Sequence, residues 1–284
     1  MHRRLCALIL FVTYLCSAQA APTTVAEFPF EYREGLLRVQ VISPKSETPL
    51  NFLVDTGAAA SVINLSTARR IGLKLGPEVT VQGIQTTLTG YWEEGMSLRI
   101  GDMELPHEYL AVDLEKLSRS CERPVDGLLG ADFVRRRSVR IDFVAQKIQL
   151  LKPEKADLSD DVLPLELRPC GMRVAITING HKHQWVRLDT GCATALQWVT
   201  SGVKPGRCSV QMAIGLAALA IPQMRTTVSI GKHQFSNVAT GVHETPIFPG
   251  EAGLLGNGLL SCFSAITIDA RAGRLFLEPR SNGP

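Results

Sequence analysis

Short segments in which apolar and polar residues alternate, separated by Gly and Pro, run along most of the chain. Met96 to Asp102 and Thr227 to Lys232 are examples: apolar residues alternate from Met96 to Ile100 in the first and at Val228 and Ile230 in the second. A period of two is typical of strands that bury one face. Valine, isoleucine, leucine and threonine are plentiful, which also favours strands. The pattern therefore predicts an all-β protein.

A strand hairpin that ends in Asp-Thr-Gly occurs twice. In the first unit, Gly35 to Val41 leads through a turn to Asn51 to Gly57. In the second unit, Gly171 to Ile176 leads through a turn to Gln184 to Gly191. Self-similarity of this kind indicates that one structural unit is repeated along the chain.

The end of each unit repeats as well. Gly-Leu-Leu-Gly occurs at Gly127 to Gly130 and again at Gly253 to Gly256. An Ile-Asp pair follows each copy, with its aspartate 12 residues after the first copy, at Asp142, and 13 residues after the second, at Asp269. The chain is therefore predicted to form two pseudo-symmetric β lobes.

Short helices are expected after each Asp-Thr-Gly, as over Ser66 to Ile71, and after each Leu-Leu-Gly, as over Ala131 to Arg136. We assign residues 21–151 to an N-terminal lobe and 170–284 to a C-terminal lobe. The intervening segment, 152–169, is charged and contains three prolines, which predicts a linker.

Residues 1–20 are predicted to be a secretory signal peptide. A short basic start precedes an apolar run from Leu5 to Leu15, and small residues follow at Ala18 and Ala20. The run is too short to span a bilayer, although an uncleaved signal anchor is an alternative. We therefore expect an exported protein, periplasmic or extracellular, with no stable membrane anchor after cleavage.

Cysteine pairing stays open at this level. An exported protein usually oxidises its cysteines, and an odd number leaves one unpaired. Cys192–Cys208 is the pair we expect, because both lie in one short stretch of the second unit. The cysteines that remain after signal cleavage are Cys121, Cys170, Cys192, Cys208 and Cys262.

Charge and motifs exclude several classes of function. The formal net charge is only +3, and the basic run Arg135 to Arg137 is most simply a solvated face, so no nucleic-acid partner is expected. His-Glu-x-x-His, paired Cys-x-x-Cys, a nucleophile elbow and a phosphate-binding loop are all missing from the sequence. Neither a metal site nor a cofactor is therefore predicted from these motifs.

The chain contains two apolar residues followed by Asp-Thr-Gly and a small residue, and later two apolar residues followed by Gly. This pattern resembles the motifs of the aspartic protease clan. Leu53 to Ala58 and Asp126 to Phe133 carry the closest match, and the resemblance covers roughly Phe30 to Pro279. In that clan, retroviral-type enzymes pair two identical chains, whereas pepsin-like enzymes fuse two lobes. This chain is similar to two fused retroviral-type units. The second unit departs from the pattern at Arg187, Cys192, Asn257 and Gly258.

The resemblance implies a pair of catalytic aspartates, Asp55 and Asp189, that hold an attacking water between them. Peptide hydrolysis needs one group to accept a proton from water and another to donate one. Two carboxyls close enough to share a proton do both, because such close like charges cannot both ionise readily; aspartic proteases are the standard example. Which aspartate begins protonated stays open, since the pair titrates as a unit.

Residues around the aspartates have supporting roles. Gly57 and Gly191 permit a tight turn that lets backbone donors approach the carboxylates. Thr56 and Thr190 would form hydrogen bonds between the lobes, as in the clan, although plain β-propensity also explains threonines here.

A hairpin over Val79 to Tyr91 is placed like the clan's flap, with Gly83, Ile84 and Gln85 as substrate-binding residues. Its backbone would pair with an extended peptide. Val210 to Gly215 is its expected counterpart in the second unit. A plain surface hairpin is the alternative.

The sequence therefore predicts an aspartic endopeptidase that hydrolyses peptide or protein substrates without a cofactor. We expect a monomer, because its two lobes replace the two chains of a dimer. One alternative is a catalytically inactive peptide-binding or scaffold protein of the same fold. Another is a divalent-metal site formed by the two carboxylates.

Overall fold

The computed structural model describes residues 23–83, 86–152, 161–201, 209–214 and 217–280. Most of these residues lie in strands, and the helices among them are four to six residues long. This confirms the predicted all-β class. The predicted signal peptide, Ile84, Gln85 and Cys208 lie outside the described residues. Within the ranges given, no helix has the length and apolar character needed to cross a membrane.

Thirteen strands and three helices form the first half of the described chain. The strands are β1 Thr24–Pro29, β2 Glu31–Arg33, β3 Leu36–Val41, β4 Leu50–Val54, β5 Val62–Asn64, β6 Glu78–Gly83, β7 Thr86–Glu94, β8 Arg99–Ile100, β9 Met103–Glu104, β10 Glu108–Val112, β11 Gly127–Leu129, β12 Ser138–Asp142 and β13 Lys147–Leu151. The helices are α1 Leu65–Arg70, α2 Glu115–Arg119 and α3 Ala131–Val134.

Ten strands and one helix form the second half of the described chain. The strands are β14 Val162–Arg168, β15 Gly171–Ile178, β16 His181–Leu188, β17 Leu196–Val199, β18 Ser209–Ile214, β19 Ala217–Ile230, β20 His233–His243, β21 Gly253–Leu255, β22 Phe263–Asp269 and β23 Arg274–Pro279. The helix is α4 Asn257–Leu260.

Both lobes place the strand before Asp-Thr-Gly beside the Gly-Leu-Leu strand. In the first lobe, β4 and β11 pair in parallel, β11 pairs with β5 antiparallel, and β5 pairs with β10 in parallel. In the second lobe, β16 and β21 pair in parallel, β21 pairs with β17 antiparallel, and β17 pairs with β20 in parallel. The pairing pattern around the two motifs is therefore the same in both halves.

Six neighbouring strands of a 13-stranded sheet, in the order β1-β13-β12-β22-β23-β14, join the two lobes. The central two of these six, β12 and β22, come from different halves and pair antiparallel. One buried apolar cluster runs through both lobes and these six strands, and it includes Phe52, Leu129, Ile141, Leu255 and Ile266. Burial of this apolar surface favours a fixed arrangement of the lobes.

Local predictions compare well with these elements. The expected helices over Ser66 to Ile71 and Ala131 to Arg136 correspond to α1 and to the shorter α3. Asn64 caps α1, because its side chain accepts a hydrogen bond from the Ser66 amide. After the second Asp-Thr-Gly, the chain forms strand β17, which pairs with β21 as β5 pairs with β11. Residues 202–208, where the second helix is expected, lie outside the described ranges.

Part of the predicted linker is a strand. Within 152–169, residues Val162–Arg168 form β14, which pairs with β23 through its first half and with β15 through its second. Residues 153–160 lie outside the described ranges. The charges and prolines hid the strand, because only Leu165 in it is fully buried and the alternation is weak.

The expected Cys192–Cys208 pair is not formed, since Cys192 is a free thiol. Its Sγ lies 3.2 Å from the Thr194 hydroxyl. A Cβ added at Gly256 would approach this sulfur to 2.9 Å, so the thiol packs against the Gly-Leu-Leu-Gly loop. The short separation of Cys192 and Cys208 in the sequence does not show in which direction the Cys192 side chain points. Cys121, Cys170 and Cys262 are also free thiols.

Candidate active site

Two loops of identical sequence begin where strands β4 and β16 end. The Asp55 amide donates to the Leu129 carbonyl at 2.8 Å, and the Asp189 amide donates to the Leu255 carbonyl at 3.0 Å. Each Gly-Leu-Leu-Gly segment therefore fixes the start of one Asp-Thr-Gly loop. This explains why the two motifs occur together in each half of the chain.

The two loops meet at the junction of the lobes, and the Asp55 and Asp189 carboxyls are in hydrogen-bond contact. A Cβ at Gly57 would lie 2.5 Å from Cγ of Asp189, and one at Gly191 would overlap the Asp55 carboxyl. Each glycine therefore leaves room for the aspartate of the opposite lobe. The sequence had suggested only the tight turn as the reason for these glycines.

Four hydrogen bonds join the hydroxyls of Thr56 and Thr190 to the backbone of the opposite lobe. The Thr56 hydroxyl donates to the Leu188 carbonyl at 2.7 Å and accepts from the Thr190 amide at 3.1 Å. In the mirror arrangement, the Thr190 hydroxyl donates to the Val54 carbonyl at 2.8 Å and accepts from the Thr56 amide at 3.0 Å. Both threonines are fully buried. The cross-lobe bonds expected from the resemblance are therefore present in the structure.

The side chains of Asp55 and Asp189 accept different numbers of hydrogen bonds from backbone amides. Oδ1 of Asp55 accepts from the amides of Gly57 at 2.9 Å and Ala58 at 3.1 Å. Oδ1 of Asp189 accepts from the Gly191 amide at 2.9 Å, whereas the Cys192 amide donates to the Asp189 backbone carbonyl at 3.3 Å. Hydrogen bonds to a carboxylate favour its ionised form. The arrangement therefore favours ionisation of Asp55.

The pKa directions agree with this difference. Burial raises the pKa of Asp55, and the Ala58 and Gly57 amides oppose that effect. Burial also raises the pKa of Asp189 well above its usual range, and the nearby negative charge of Asp55 raises it further. The pair is thus arranged to share one proton, and the additional amide donor favours the ionised form of Asp55.

Arg187 and Glu251 form a buried ion pair beside the dyad. Nε and Nη2 of Arg187 donate to the two carboxylate oxygens of Glu251 at 2.8 and 2.9 Å. The Arg187 side chain is 4% exposed and that of Glu251 is 5% exposed. The sequence showed Arg187 only as a departure from the clan's pattern, and Glu251 was missed. Strand alternation could have placed Arg187 on the same face as Asp189.

Asn257, another departure, joins the lobes. Its side-chain amide donates to the carbonyls of Gly35 and Thr190, each at 2.7 Å. In the first lobe, Asp132 instead holds Ser61, through the Ser61 amide at 2.9 Å and its hydroxyl at 2.8 Å. The two halves therefore use different side chains after Gly-Leu-Leu-Gly.

The hairpin of β6 and β7 covers the face of the first lobe that carries Asp55. The two strands pair antiparallel, from Glu78 with Tyr91 to Gly83 with Thr86. Val79, Val81 and Leu88 of this hairpin pack on a buried apolar cluster that contains Leu53, Val62, Leu110 and Leu128. Of the predicted flap residues, Gly83 ends β6, whereas Ile84 and Gln85 lie outside the described residues. In the second lobe, β18 and β19 form the corresponding pair.

The sequence of the first lobe is similar to those of aspartyl proteases. The profile of a family described as "Aspartyl protease" matches residues 39–133. The "Retrovirus-related Pol polyprotein from transposon 412" of Drosophila melanogaster is 26% identical over 102 residues, which is 36% of this chain and 8% of that polyprotein. The chain therefore corresponds to a small part of this relative.

Solved structures match both lobes. The aspartic proteinase from Irpex lacteus superposes with a TM-score of 0.58 at 13% identity, covering 90% of this chain and 97% of that chain. Basic 7S globulin from soybean superposes with a TM-score of 0.53 at 13% identity, covering 90% and 94%. At this identity the likeness shows the fold alone. Together, the comparisons confirm the resemblance to retropepsin-like and pepsin-like aspartic proteases and support a protease-like function.

Proposed function

We propose that the protein is an aspartic endopeptidase that hydrolyses peptide bonds with a water held between Asp55 and Asp189. The observation that carries the proposal is the contact between two carboxyls from separate Asp-Thr-Gly loops, within a buried hydrogen-bond network. A protein that only binds peptides gains nothing from burying two carboxyls in contact, because burial and mutual repulsion both oppose their ionisation.

The asymmetry of the pair assigns a role to each aspartate. Asp55, with two amide donors on Oδ1, is the ionised group and accepts a proton from the attacking water. Asp189 carries the shared proton and donates it to the scissile carbonyl oxygen as the water oxygen bonds to the carbonyl carbon. In the second step, the proton on Asp55 passes to the leaving nitrogen and Asp189 takes a proton from the tetrahedral intermediate. The carbon–nitrogen bond breaks and the original protonation state returns.

The hairpin of β6 and β7 provides the most direct place for substrate recognition. It covers the apolar cluster around Leu53, on the strand face that carries Asp55. An extended peptide between this hairpin and the carboxyls could pair with its backbone. We therefore propose peptides or proteins in extended conformation as substrates, with Gly83, Ile84 and Gln85 at the recognition edge.

One chain supplies both aspartates, so a monomer is sufficient to form the site. We propose a monomeric enzyme that acts in the periplasm or outside the cell, as the signal-peptide pattern of residues 1–20 suggests. N-terminal sequencing of protein isolated from its source tests this location. Cleavage after Ala20 is expected, whereas an intact Met1 on cytoplasmic protein would contradict export.

Incubation of the purified protein with a mixed peptide library tests the activity. We expect internal cleavage of peptides, detected by mass spectrometry, and its suppression by a pepstatin-like inhibitor. Peptides that bind without being cleaved, across the acidic and neutral pH range, would favour the inactive peptide-binding alternative. Calorimetry with calcium and magnesium tests the alternative that the carboxylates bind a divalent metal.

A further inference from the structure

Arg187 occupies a position in the second lobe where the first lobe has an apolar residue. In the registers of the two lobes, Arg187 lies beside Leu254, and Leu53 lies beside Leu128. Arg187 precedes Asp189 by two residues, as Leu53 precedes Asp55, so each lies on the same strand face as its aspartate. An apolar side chain is therefore compatible with this place in the fold, and the charge in the second lobe needs an explanation.

The side chains around Arg187 interact with its positive charge. Glu251 binds the guanidinium in a forked arrangement, and the ring of Phe248 stacks on it with a centroid 3.4 Å from Cζ. Taking an arginine and a glutamate out of water is costly, and apolar residues of similar volume are often at least as stabilising. Stability alone is therefore a weak reason for this pair.

The third hydrogen bond of Arg187 crosses to the other lobe. Its Nη1 donates to the Gly57 carbonyl at 2.9 Å. That carbonyl belongs to the same planar peptide group as the Ala58 amide, which donates to Oδ1 of Asp55 at 3.1 Å. Fixing the carbonyl end of a rigid plane also fixes the direction of its amide. A charged donor on the carbonyl further polarises the peptide group and strengthens its amide as a donor.

The loop that carries Asp189 has no counterpart of Arg187 in the first lobe. Leu53, the counterpart of Arg187, has no hydrogen-bond donor in its side chain. The Cys192 amide, the counterpart of the Ala58 amide, donates to the Asp189 backbone carbonyl. The Ala58 amide makes the same backbone contact, at 3.2 Å, but additionally reaches the carboxylate. The difference between the loops coincides with the difference between Arg187 and Leu53.

We propose that Arg187, held by Glu251, is a positioning residue that orients the Gly57–Ala58 peptide toward Asp55 and so places the shared proton on Asp189. Its consequence for peptide cleavage rests on the proposed function, but the location of the proton does not. The charged and titratable groups that face the pair are Arg187 itself, with Glu251 behind it, and the Cys192 thiol, whose pKa burial raises to about 12. The thiol is therefore neutral wherever the aspartates titrate.

Amide NMR of the full-length protein tests the proposal without any substrate. The Ala58 and Gly57 amides both donate to Oδ1 of Asp55, but only the Ala58 amide shares its peptide group with the carbonyl that Arg187 binds. In the wild type, both amide resonances should shift as Asp55 ionises. In the double variant Arg187→Met/Glu251→Gln, the change in the Ala58 amide shift on ionisation of Asp55 should be at least twofold smaller than in the wild type. The change in the Gly57 amide shift should persist. The ionisation of Asp55 should move up by about one pH unit, as expected when a hydrogen bond to a charged group weakens.

Arg140 offers a matched control. It also binds a glutamate in a forked arrangement, because its Nε and Nη2 donate to the Glu278 carboxylate at 3.0 and 2.8 Å. Because Arg140 lies on β12, outside both Asp-Thr-Gly loops, Arg140→Met should leave both amide responses unchanged. A folded Arg187→Met/Glu251→Gln protein whose Ala58 amide titrates as in the wild type would overturn the proposal.

Arg187→Lys decides the question if the double variant does not fold. Lysine keeps the positive charge but cannot hold Glu251 in a fork and bind the Gly57 carbonyl together. A reduced Ala58 response in this variant supports the proposal, and a wild-type response contradicts it. If the wild type cleaves peptides, the acid limb of kcat/KM should move upward together with the ionisation of Asp55. If no form of the protein cleaves peptides, the proposed function fails while the NMR result still stands.

Discussion

Replacing Thr190 by valine should separate the contribution of the cross-lobe hydrogen bonds from that of packing. Valine has nearly the shape of threonine but lacks the hydroxyl that donates to the Val54 carbonyl and accepts from the Thr56 amide. Both of these groups would then be buried without their partner, since Thr190 and Thr56 are fully buried and Val54 nearly so. The change therefore tests the hydrogen bonds at almost constant volume.

The expected cost follows from the two groups that lose a partner. Leaving a buried donor or acceptor unsatisfied costs about 1–3 kcal/mol, so Thr190→Val should lower the free energy of unfolding by roughly 2–6 kcal/mol. That is a large part of the roughly 5–15 kcal/mol available to a typical folded protein. Because the same bonds hold the aspartates in register, peptide cleavage should also fall by about 10- to 100-fold.

Urea unfolding with linear extrapolation measures the stability change. Thr226→Val is a matched control, because the buried Thr226 hydroxyl contacts the Thr240 hydroxyl at 2.7 Å within the second lobe, away from the two loops. The control should lose about 1 kcal/mol and retain full activity. A Thr190→Val protein that is no less stable than Thr226→Val would refute the reasoning.

Three further outcomes are expected. Gly57→Ala should fold but lose at least about 100-fold in kcat, because the new Cβ would lie 2.5 Å from Cγ of Asp189; near-normal turnover would contradict this account of the glycine. Asp189 keeps its proton in the folded protein at pH values where the unfolded chain has lost it. The free energy of unfolding should therefore fall as pH rises from about 4 towards the pKa of Asp189 in the folded protein. Asp189→Asn should make the free energy of unfolding less dependent on pH in this range, as measured by urea unfolding at several pH values. Ala58→Ser adds a hydroxyl donor near the ionised Asp55, so the acid limb of kcat/KM should move to lower pH; an unchanged or higher limb in an active variant would disprove the effect.

The fold was predictable where neighbouring residues determine it. Apolar alternation and turn residues gave the β3–β4 and β15–β16 hairpins, which the structure contains. Each Gly-Leu-Leu-Gly lies beside the strand that precedes an Asp-Thr-Gly, as its recurrence at matched spacing indicated. By contrast, β14 was hidden in a charged segment, because its two halves pair with different strands and little of it is buried.

Contacts between residues far apart in the chain were not predictable. Arg187 and Glu251 are separated by 64 residues, and nothing in either local sequence indicates a buried ion pair. The contact of Arg187 with Gly57 spans 130 residues and both lobes. The direction in which a side chain points is equally hard to predict from sequence. The Cys192 thiol, for example, packs against the loop at Gly256 and is not in a disulfide. Such features depend on how the lobes meet, which local pattern does not determine.

The central claim is that Asp55 and Asp189 act together on a peptide bond. The most direct test is to compare peptide cleavage by the wild type with that of Asp55→Asn, Asp189→Asn and the double variant, with circular dichroism to confirm that each variant folds. Loss of a positioned acid or base typically costs about 10²- to 10⁴-fold in rate. Each single variant should lose activity in that range, and the double variant should lose little more, because the carboxyls work as one unit. A folded single variant that cleaves peptides at close to the wild-type rate would contradict the account.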